Sequence, residues 1–167
     1  RDDEHPGEAA AGGAQGGGQL RRQIGSVFQD FKLLADRTVT ENIGLSLDIL
    51  GTKDTDISER VDHLLALVGL GNKGELFPSQ LSGGELQRTV IARALASEPK
   101  VLFADEPTGN LDHDTAAAIV SLLEDIHKLG TTVIMATHNQ DIVRSSNKRT
   151  VELDQGKIVK DTGKHKK

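Results

Sequence analysis

Two adjacent carboxylates follow a short apolar segment in VLFADEPTGNLD, residues 101–112. The segment Val101 to Ala104 predicts a buried strand that delivers Asp105 and Glu106 at its carboxyl edge. Ligands bind at that edge in open α/β sheets. One carboxylate of such a pair can hold Mg²⁺ directly or through water, and the other can orient or deprotonate a water that attacks a phosphate. A plain turn is the alternative for two strand-end acids, and the flanking PTGNLD argues against it.

The stretch LSGGELQR, residues 81–88, predicts the start of a helix. Ser82 and Glu85 have the S-x-x-E spacing of a capping box. Gly83 and Gly84 would weaken the first turn relative to alanine, so a cap alone does not account for them. They are expected where an anion approaches the backbone N–H groups at the positive end of the helix dipole. The two explanations are compatible, and we expect both to hold.

Two more polar residues follow apolar, strand-like segments. His138 follows VIMAT, which places its ring at the same predicted sheet edge as the two acids, where it could donate a hydrogen bond to a γ-phosphate. Gln29 follows IGSVF and could contact Mg²⁺ and the attacking water. A lone histidine or glutamine is usually structural. The functional prediction for these two residues therefore depends on the other strand-end residues.

The composition excludes several classes of function. The chain has 167 residues, enough for one domain with a hydrophobic core, and 25 acidic against 20 basic residues give a net charge of −5. A general affinity for nucleic acid is therefore not expected. Without cysteine there is no disulfide, thiolate metal site or cysteine nucleophile. No apolar run reaches the roughly 18 residues that span a bilayer, and no secretion signal is recognisable, so we expect a cytoplasmic location.

Apolar strand-like segments alternate with amphipathic helical patterns after Leu20. This alternation predicts an α/β fold with a parallel sheet covered on both faces. Three successive helices between Thr40 and Ser97 suggest a helical insertion in that core. The patterns predict strands at 24–28, 101–104 and 131–137, helices at 38–50, 56–68, 82–98 and 114–129, a short helix after 138, and a hairpin around Gln155 and Gly156.

Residues 1–19 differ in composition from the rest of the chain. Ten of these 19 residues are Gly or Ala and none is Val, Ile, Leu or aromatic, which predicts a disordered segment. Gly7 and Gly12 have the glycine spacing of the phosphate-binding motif G-x-x-x-x-G-K-[S/T], but Gly-Ala follows Gly12. The Gly-Lys pairs at Gly156 and Gly163 lie near the C-terminus, in the wrong context. We therefore expect that this segment is not a phosphate loop.

A set of motifs identifies a resemblance to a known family. In chain order, Gln29, LSGGE, VLFADE, Asp112 and His138 resemble the Q-loop, signature, Walker B, D-loop and H-loop of ABC transporter ATPases. Within that superfamily, RRQIGSVFQDFKLL, FPSQLSGGELQR and VIMATHNQDIV are similar to the FtsE family of cell-division ATPases. The chain departs from that family at Ala35, Thr40 and Leu86. Because DEPTGNLD is shared with lipoprotein-release and macrolide-export ATPases, an export ATPase is the alternative.

The resemblance implies a P-loop NTPase-like parallel sheet core with a helical signature subdomain, and ATP and Mg²⁺ as cofactors. Asp105 would serve the Mg²⁺ shell, and Glu106 would act on the hydrolytic water. His138 would sense the γ-phosphate. Gln29 would contact Mg²⁺ and report the nucleotide state to a membrane partner through the loop Asp30 to Leu34.

The resemblance also implies an assembly. Two protomers would dimerise around two ATP molecules, and Asp112 would help to join the two sites. The membrane partner would be an integral membrane subunit of the FtsX type, holding the chain at the inner face of the cell membrane. The residues that would reach across the dimer interface to ATP held by the other protomer are Ser82, Gly83, Gly84 and Glu85.

On this resemblance, residues 20–167 are about the C-terminal two-thirds of an ABC ATPase domain. The helical subdomain would occupy about 32–97, and the catalytic core 20–31 and 98–161. We expect that the upstream part was truncated or read in another frame, with a degenerate subunit as the alternative. The 167-residue chain is then expected to bind ATP weakly and to be inactive alone. A non-catalytic interaction module that offers its LSGGE face to a partner's ATP is a further alternative.

Overall fold

Three parallel strands form the sheet of the computed structural model, which describes residues 23–163. In spatial order they are β1 (Ile24–Val27), β2 (Val101–Asp105) and β3 (Thr132–Ala136). The register pairs Val27 with Ala104, and Ala104 with Met135. The predicted parallel sheet is thus confirmed, and the carboxyl ends of all three strands lie at one edge.

Four helices of more than two turns lie between these strands. They are α1 (Val39–Ile49), α2 (Asp54–Leu67), α3 (Gly83–Leu95) and α4 (His113–Lys128), with a short 3₁₀ turn (Pro78–Gln80) before α3. Three of them begin at capping side chains: Thr38 and Ser82 form capping boxes at α1 and α3, and Asp112 caps α4. No helix in residues 23–163 is both long and apolar enough to cross a bilayer.

The hydrophobic core lies on one face of the sheet. Val27, Leu102 and Ala104 are fully buried on this face and join one cluster with the apolar sides of α1 to α4. On the opposite face Ile24 is 42% exposed and Ile134 is 50% exposed. The apolar core of the described residues thus lies on one face, because most of the buried side chains of α1 to α4 belong to this one cluster. Coverage of the second face stays a prediction.

The chain divides into two compact units after Ala136. The second unit contains α5 (Gln140–Ser145) and a hairpin of β4 (Val151–Asp154) and β5 (Lys157–Asp161). Gln155 and Gly156 have positive φ angles of 47° and 77°, as a two-residue type I′ turn requires, so the predicted hairpin is confirmed. At its open end Arg149 donates from Nε and Nη2 to the Asp161 carboxylate at 3.0 and 2.7 Å.

Candidate functional site

The two predicted acids lie at the carboxyl edge of the sheet. Asp105 is the exposed last residue of β2 and pairs in register with Ala136, the last residue of β3. Glu106 leaves the strand with a positive φ of 47°, and its N–H donates to the Ala136 carbonyl at 2.9 Å. Its own carbonyl accepts from the N–H of Gly109 at 3.1 Å, which closes a turn directly after the acids. A non-glycine residue in this backbone region is uncommon and is often found at functional sites.

The Gln29 side chain lies against this turn. Its Nε2 donates to Oδ1 of Asn110 at 3.4 Å, and a Cβ on Gly109 would be only 3.0 Å from the same Nε2. The structure thus brings Gln29 to the turn that follows Asp105 and Glu106. Because the NH₂ end of the amide faces Asn110, the carbonyl oxygen is the end that could meet a cation.

Helix α3 begins with the predicted capping box. The Oγ of Ser82 accepts from the N–H of Glu85 at 3.4 Å, and Oε2 of Glu85 accepts from the N–H of Ser82 at 2.9 Å. The other carboxylate oxygen is 2.6 Å from Nζ of Lys73. The hydrogen bond from Lys73 and then that from the Ser82 backbone lower the pKa of Glu85 from 4.5 to about 2. Since Lys73 balances this carboxylate, the start of α3 can still attract an anion.

The two glycines of this first turn face the start of α4. A Cβ on Gly84 would lie 2.5 Å from Cγ2 of Thr115, and one on Gly83 would lie 3.3 Å from Leu111. Thr115 cannot easily turn away, because its Oγ1 donates to Oδ2 of Asp112 at 2.6 Å. Close packing of two helix starts therefore explains Gly84 without any ligand. The anion explanation remains a prediction beside it.

Asp112 is the N-cap of α4, a role that the sequence reasoning did not give it. Its Oδ1 accepts from the N–H groups of Asp114 and Thr115 at 3.1 and 3.0 Å. Hydrogen bonds from the Thr115 hydroxyl and then from the Thr115 backbone lower the pKa of Asp112. A groove of about 370 Å³ runs between the two helix starts, with Ser82, Gly84 and Thr115 among its walls. The structure thus brings Asp112 and the glycine turn together.

His138 lies in the second unit, two residues after the end of β3. Its neighbour Asn139 caps α5, and Oδ1 of Asn139 accepts from the N–H groups of Asp141 and Ile142 at 3.0 and 3.3 Å. The Asn139 N–H donates to Oγ1 of Thr137 at 3.1 Å, so the chain around His138 forms a local turn. The placement of His138 beside Asp105 and Glu106 stays a prediction.

The loop after β1, residues 29–34, is named here the Gln29 loop. The sequence did not predict the two hydrogen bonds through which Arg93 holds this loop, named here the clamp. Arg93 of α3 donates from Nη1 to the Lys32 carbonyl at 2.7 Å and from Nη2 to the Phe31 carbonyl at 3.0 Å. The sequence offers a weak signal, an arginine inside the apolar run VIARAL. Nothing in that run indicates what the guanidinium would bind, because its acceptors are backbone carbonyls far away in sequence.

Asn42 of α1 was also missed, and it is fully buried. Its Nδ2 donates to the carbonyls of Leu34, Arg37 and Thr38 at 3.0, 3.1 and 2.9 Å, and its Oδ1 accepts from the N–H of Leu34 at 2.8 Å. One side chain thus satisfies four backbone groups between the Gln29 loop and α1. The sequence signal is a polar residue three positions after Val39, and thus on the buried side of α1, where an apolar residue is expected.

A groove of about 370 Å³ runs along the Gln29 loop. Its polar and charged lining residues are Gln29, Asp30, Lys32 and Asn110, and Leu34, which continues the loop, is 43% exposed. The apolar side chains that line it are Phe31, Leu33, Pro78 and Leu86. These apolar side chains line the same groove as Gln29, which meets the turn after Asp105 and Glu106, named here the acidic turn.

The chain matches the family model described as ABC transporter over residues 6–109. This match covers more than half of the chain and runs through the turn that follows Glu106. The chain therefore belongs to the ABC transporter family. Residues 6–22 of the match lie outside the described residues, so the predictions made for residues 1–19 have no structural counterpart.

Several curated relatives share about half of their residues with this chain. The cell division ATP-binding protein FtsE of Streptococcus pneumoniae is 50% identical over 145 residues, which are 87% of this chain and 63% of that protein. FtsE of Bacillus subtilis is 51% identical over 142 residues, 85% of this chain and 62% of that protein. The methionine import ATP-binding protein MetN of Chromohalobacter salexigens is 49% identical over 144 residues, 86% of this chain and 42% of that protein. The chain thus spans less than two thirds of the length of these relatives.

Solved structures share the fold. CbiO1 of Clostridium perfringens, part of the ABC transporter complex cbiONQ, has a TM-score of 0.83 and 32% identity over 89% of this chain and 60% of that one. An ATP-binding cassette solved as a dimer in a post-hydrolysis state with ADP and Pi has a TM-score of 0.73 and 34% identity over 86% of this chain and 64% of that one. The predicted ABC ATPase fold is confirmed by these neighbours.

Proposed function

We propose that this chain supplies the signature and hydrolysis residues of an ATPase subunit that drives an FtsX-like integral membrane partner in cell division. Members of the ABC ATPase family bind nucleotide and hydrolyse ATP. The observation that carries the proposal is the contact of Gln29 with the turn that follows Asp105 and Glu106. This contact links Gln29 to the turn of the two acids that would act on ATP. The similarity to FtsE over 145 residues supports cell division as the output, and methionine import is the competing output because MetN is 49% identical over 144 residues.

Asp105 and Gln29 would hold a magnesium ion at the sheet edge. Asp105 offers an exposed carboxylate, and Gln29 can turn an amide oxygen toward the same edge, and both are the hard oxygen donors that Mg²⁺ prefers. The ion would neutralise the charge that develops on the phosphates. Glu106 would orient the attacking water and take up its proton, and its backbone is fixed for this by the Ala136 carbonyl. His138 would donate a hydrogen bond to the γ-phosphate.

The start of α3 would bind the phosphates held by a second protomer. Two N–H groups, those of Gly83 and Gly84, lie in the first helical turn, where the helix dipole favours an anion. Ser82 and Glu85 hold this turn through the capping box. Asp112 lies next to it and would join the two sites of the dimer. The dimeric ATP-binding cassette with ADP and Pi is a neighbour in which two such domains do assemble.

The groove along the Gln29 loop would receive the membrane partner. Half of its lining residues are apolar and Gln29 is one of the others, so a partner segment bound there would contact the glutamine that meets the acidic turn. Movement of this loop would thus couple the nucleotide state to the partner. The charge of the chain is negative, and no part of the proposal requires nucleic acid.

A chimeric FtsE tests the proposal. Residues 24–161 would replace the corresponding part of FtsE of Bacillus subtilis, whose remaining sequence supplies the length that this chain does not span. We expect the chimera to hydrolyse ATP, to copurify with the FtsX-type partner and to restore division in cells without their own FtsE. The 167-residue chain without the graft is the control, and we expect little turnover from it.

Two variants of the chimera sharpen the test. Glu106→Gln should abolish hydrolysis while Mg-ATP still binds, and Glu59→Gln, an exposed carboxylate of α2, should leave turnover unchanged. Wild-type turnover in the Glu106→Gln chimera would remove Glu106 from its role. A second graft into MetN of Chromohalobacter salexigens tests the competing output. Restored methionine uptake there, together with no rescue of division by the FtsE chimera, would overturn the cell-division assignment.

A further inference from the structure

Arg93 joins the Gln29 loop to α3, although 61 positions separate it from Lys32. The guanidinium donates to two consecutive carbonyls, those of Phe31 and Lys32, at 3.0 and 2.7 Å. Hydrogen bonds with a charged donor are about twice as strong as neutral ones, and two from one planar group also fix direction. The same helix begins with the Ser82 capping box and the glycine turn. Helix α3 thus holds the Gln29 loop through Arg93 and also carries the glycine turn that packs against the start of α4.

The packing of β1 on α3 explains why Arg93 can reach the loop. A Cβ on Gly25 would lie 2.5 Å from the carbonyl oxygen of Ala94, so the strand and the helix touch through their backbones. The loop that leaves β1 consequently starts beside Arg93. Burial lowers the pKa of Arg93, yet a guanidinium stays protonated in proteins, so its partial removal from water must be offset by acceptors. The Phe31 and Lys32 carbonyls are those acceptors.

The backbone of the loop shows why it needs an outside contact. Lys32 has a positive φ of 49°, a conformation that costs a non-glycine residue free energy and persists only where the surroundings hold it. Nζ of Lys32 lies 4.8 Å from the ring centroid of Phe28, a contact that is local and partly exposed. The bond from Arg93 to the Lys32 carbonyl acts on the strained residue itself. It is therefore placed to select this loop conformation over relaxed ones.

We propose that Arg93 is a positioning residue, whose two hydrogen bonds hold the Gln29 loop against α3 in the conformation that presents Gln29 to the acidic turn. Loss of the clamp frees the loop without removing any residue that meets nucleotide. The consequence for coupling rests on the proposed function, because it requires that Gln29 respond to nucleotide. The positioning itself does not, and it can be measured in the chain without ATP.

Limited digestion with trypsin measures the clamp directly. Trypsin cleaves after Lys32, whose carbonyl is the one that Arg93 holds at 2.7 Å. Lys53, an exposed residue at the start of α2, gives an internal reference for cleavage elsewhere in the same digest. The variants are Arg93→Gln and Arg93→Lys. The matched control is Arg60→Gln, because Arg60 also donates to two backbone carbonyls, those of Leu95 and Ala96 at 3.0 and 3.4 Å.

We expect Arg93→Gln to raise the rate of cleavage after Lys32, relative to Lys53, by about tenfold, the effect of losing one or two charge-assisted bonds. Arg93→Lys should restore part of the protection, because its ammonium keeps the charge and can bond one carbonyl. Arg60→Gln should leave the ratio within about twofold. The same ratio of Lys32 to Lys53 cleavage in Arg93→Gln and Arg60→Gln, whether raised or unchanged, would overturn the proposal. If Arg93→Gln does not fold, the comparison of Arg93→Lys with Arg60→Lys decides in the same way, with an expected rise of about threefold for Arg93→Lys alone.

The chimeric FtsE separates this inference from the proposed function. In the chimera, Arg93→Lys should reduce the stimulation of ATP turnover by the membrane partner while the KM for ATP changes little, because the residue touches no nucleotide. A raised KM at unchanged stimulation would refute the role in coupling. A chimera that does not rescue division leaves the digestion result standing, and the proposed function then fails alone.

Discussion

Replacing Glu85 by Gln tests the electrostatics at the start of α3. A glutamine keeps the reciprocal cap, because a capping box accepts Glu or Gln at this position. The change therefore removes the charge that pairs with Lys73 at 2.6 Å and leaves the Ser82 bonds in place. The expected result is a lower free energy of unfolding at neutral pH, caused by loss of the ion pair.

The size of the loss follows from the pKa of Glu85. A value of about 2 against the ordinary 4.5 corresponds to about 3 kcal/mol, at about 1.36 kcal/mol for each pKa unit. The side chains of Glu85 and Lys73 are 27% and 31% exposed, so water screens the pair and reduces this figure. Part of the shift also comes from the Ser82 hydrogen bonds, which the glutamine keeps, so a loss of about 1 kcal/mol is expected at pH 7.

The pH dependence has a definite sign. Because folding lowers the pKa of this carboxyl, its contribution is complete above about pH 4.5 and is lost as the pH falls toward 2. The difference between the wild type and Glu85→Gln should therefore shrink by more than half between pH 6 and pH 3. Glu59→Gln, at an exposed carboxylate of α2, serves as the control and should show no such trend.

Urea denaturation followed by circular dichroism at several pH values measures these differences. Lys73→Met should cost a similar amount, and the double variant Lys73→Met with Glu85→Gln should cost little more than either change alone. A difference between the wild type and Glu85→Gln that stays constant from pH 6 to pH 3 would refute the assignment of the pKa shift to Lys73. Full additivity of the two changes would refute it independently.

Two further predictions concern stability and use the same denaturation assay. Gly25→Ala should lower the free energy of unfolding by about 2 kcal/mol or more, because its Cβ would lie 2.5 Å from the Ala94 carbonyl oxygen. The control Gly71→Ala meets nothing within 4 Å and should be neutral. A neutral Gly25→Ala would contradict the backbone contact. Asn42→Ala should cost about 3 kcal/mol or more, because it leaves four backbone groups without their buried partner, and the exposed Asn147→Ala should cost less than about 0.5 kcal/mol. A loss below about 1 kcal/mol for Asn42→Ala would show that water replaces its bonds.

Local patterns were sufficient to predict where helices and strands lie. The S-x-x-E spacing of Ser82 and Glu85 gave the start of α3, and the glycine at 156 gave the hairpin turn, because both are set by residues close in sequence. The strand-end rule also placed Asp105, Glu106 and Gln29 at one edge, since parallel strands align their carboxyl ends. The roles of these residues, like that of His138, remain proposals.

Contacts between residues far apart in sequence could not be predicted from the same patterns. Arg93 donates to backbone carbonyls, and because every residue has one, the sequence does not indicate which carbonyls it will bind. Gly84 was assigned to an anion, but it also meets Thr115, and no local rule links the starts of α3 and α4. Coverage of the sheet is a related case. Apolar residues such as Ile24 and Ile134 predict a second covered face, whereas helices α1 to α4 share one cluster on the other face.

These contacts make α3 the element through which the parts of the site would act on one another. Its start packs against α4 at Gly84 and is held by Lys73 through Glu85, and near its end Arg93 holds the Gln29 loop. A partner that moves the Gln29 loop must therefore either break the Arg93 bonds or move α3 and its glycine turn together. The charge-assisted bonds favour joint movement, which would transmit a displacement at the groove to the start of the helix, where the proposed phosphate contacts lie.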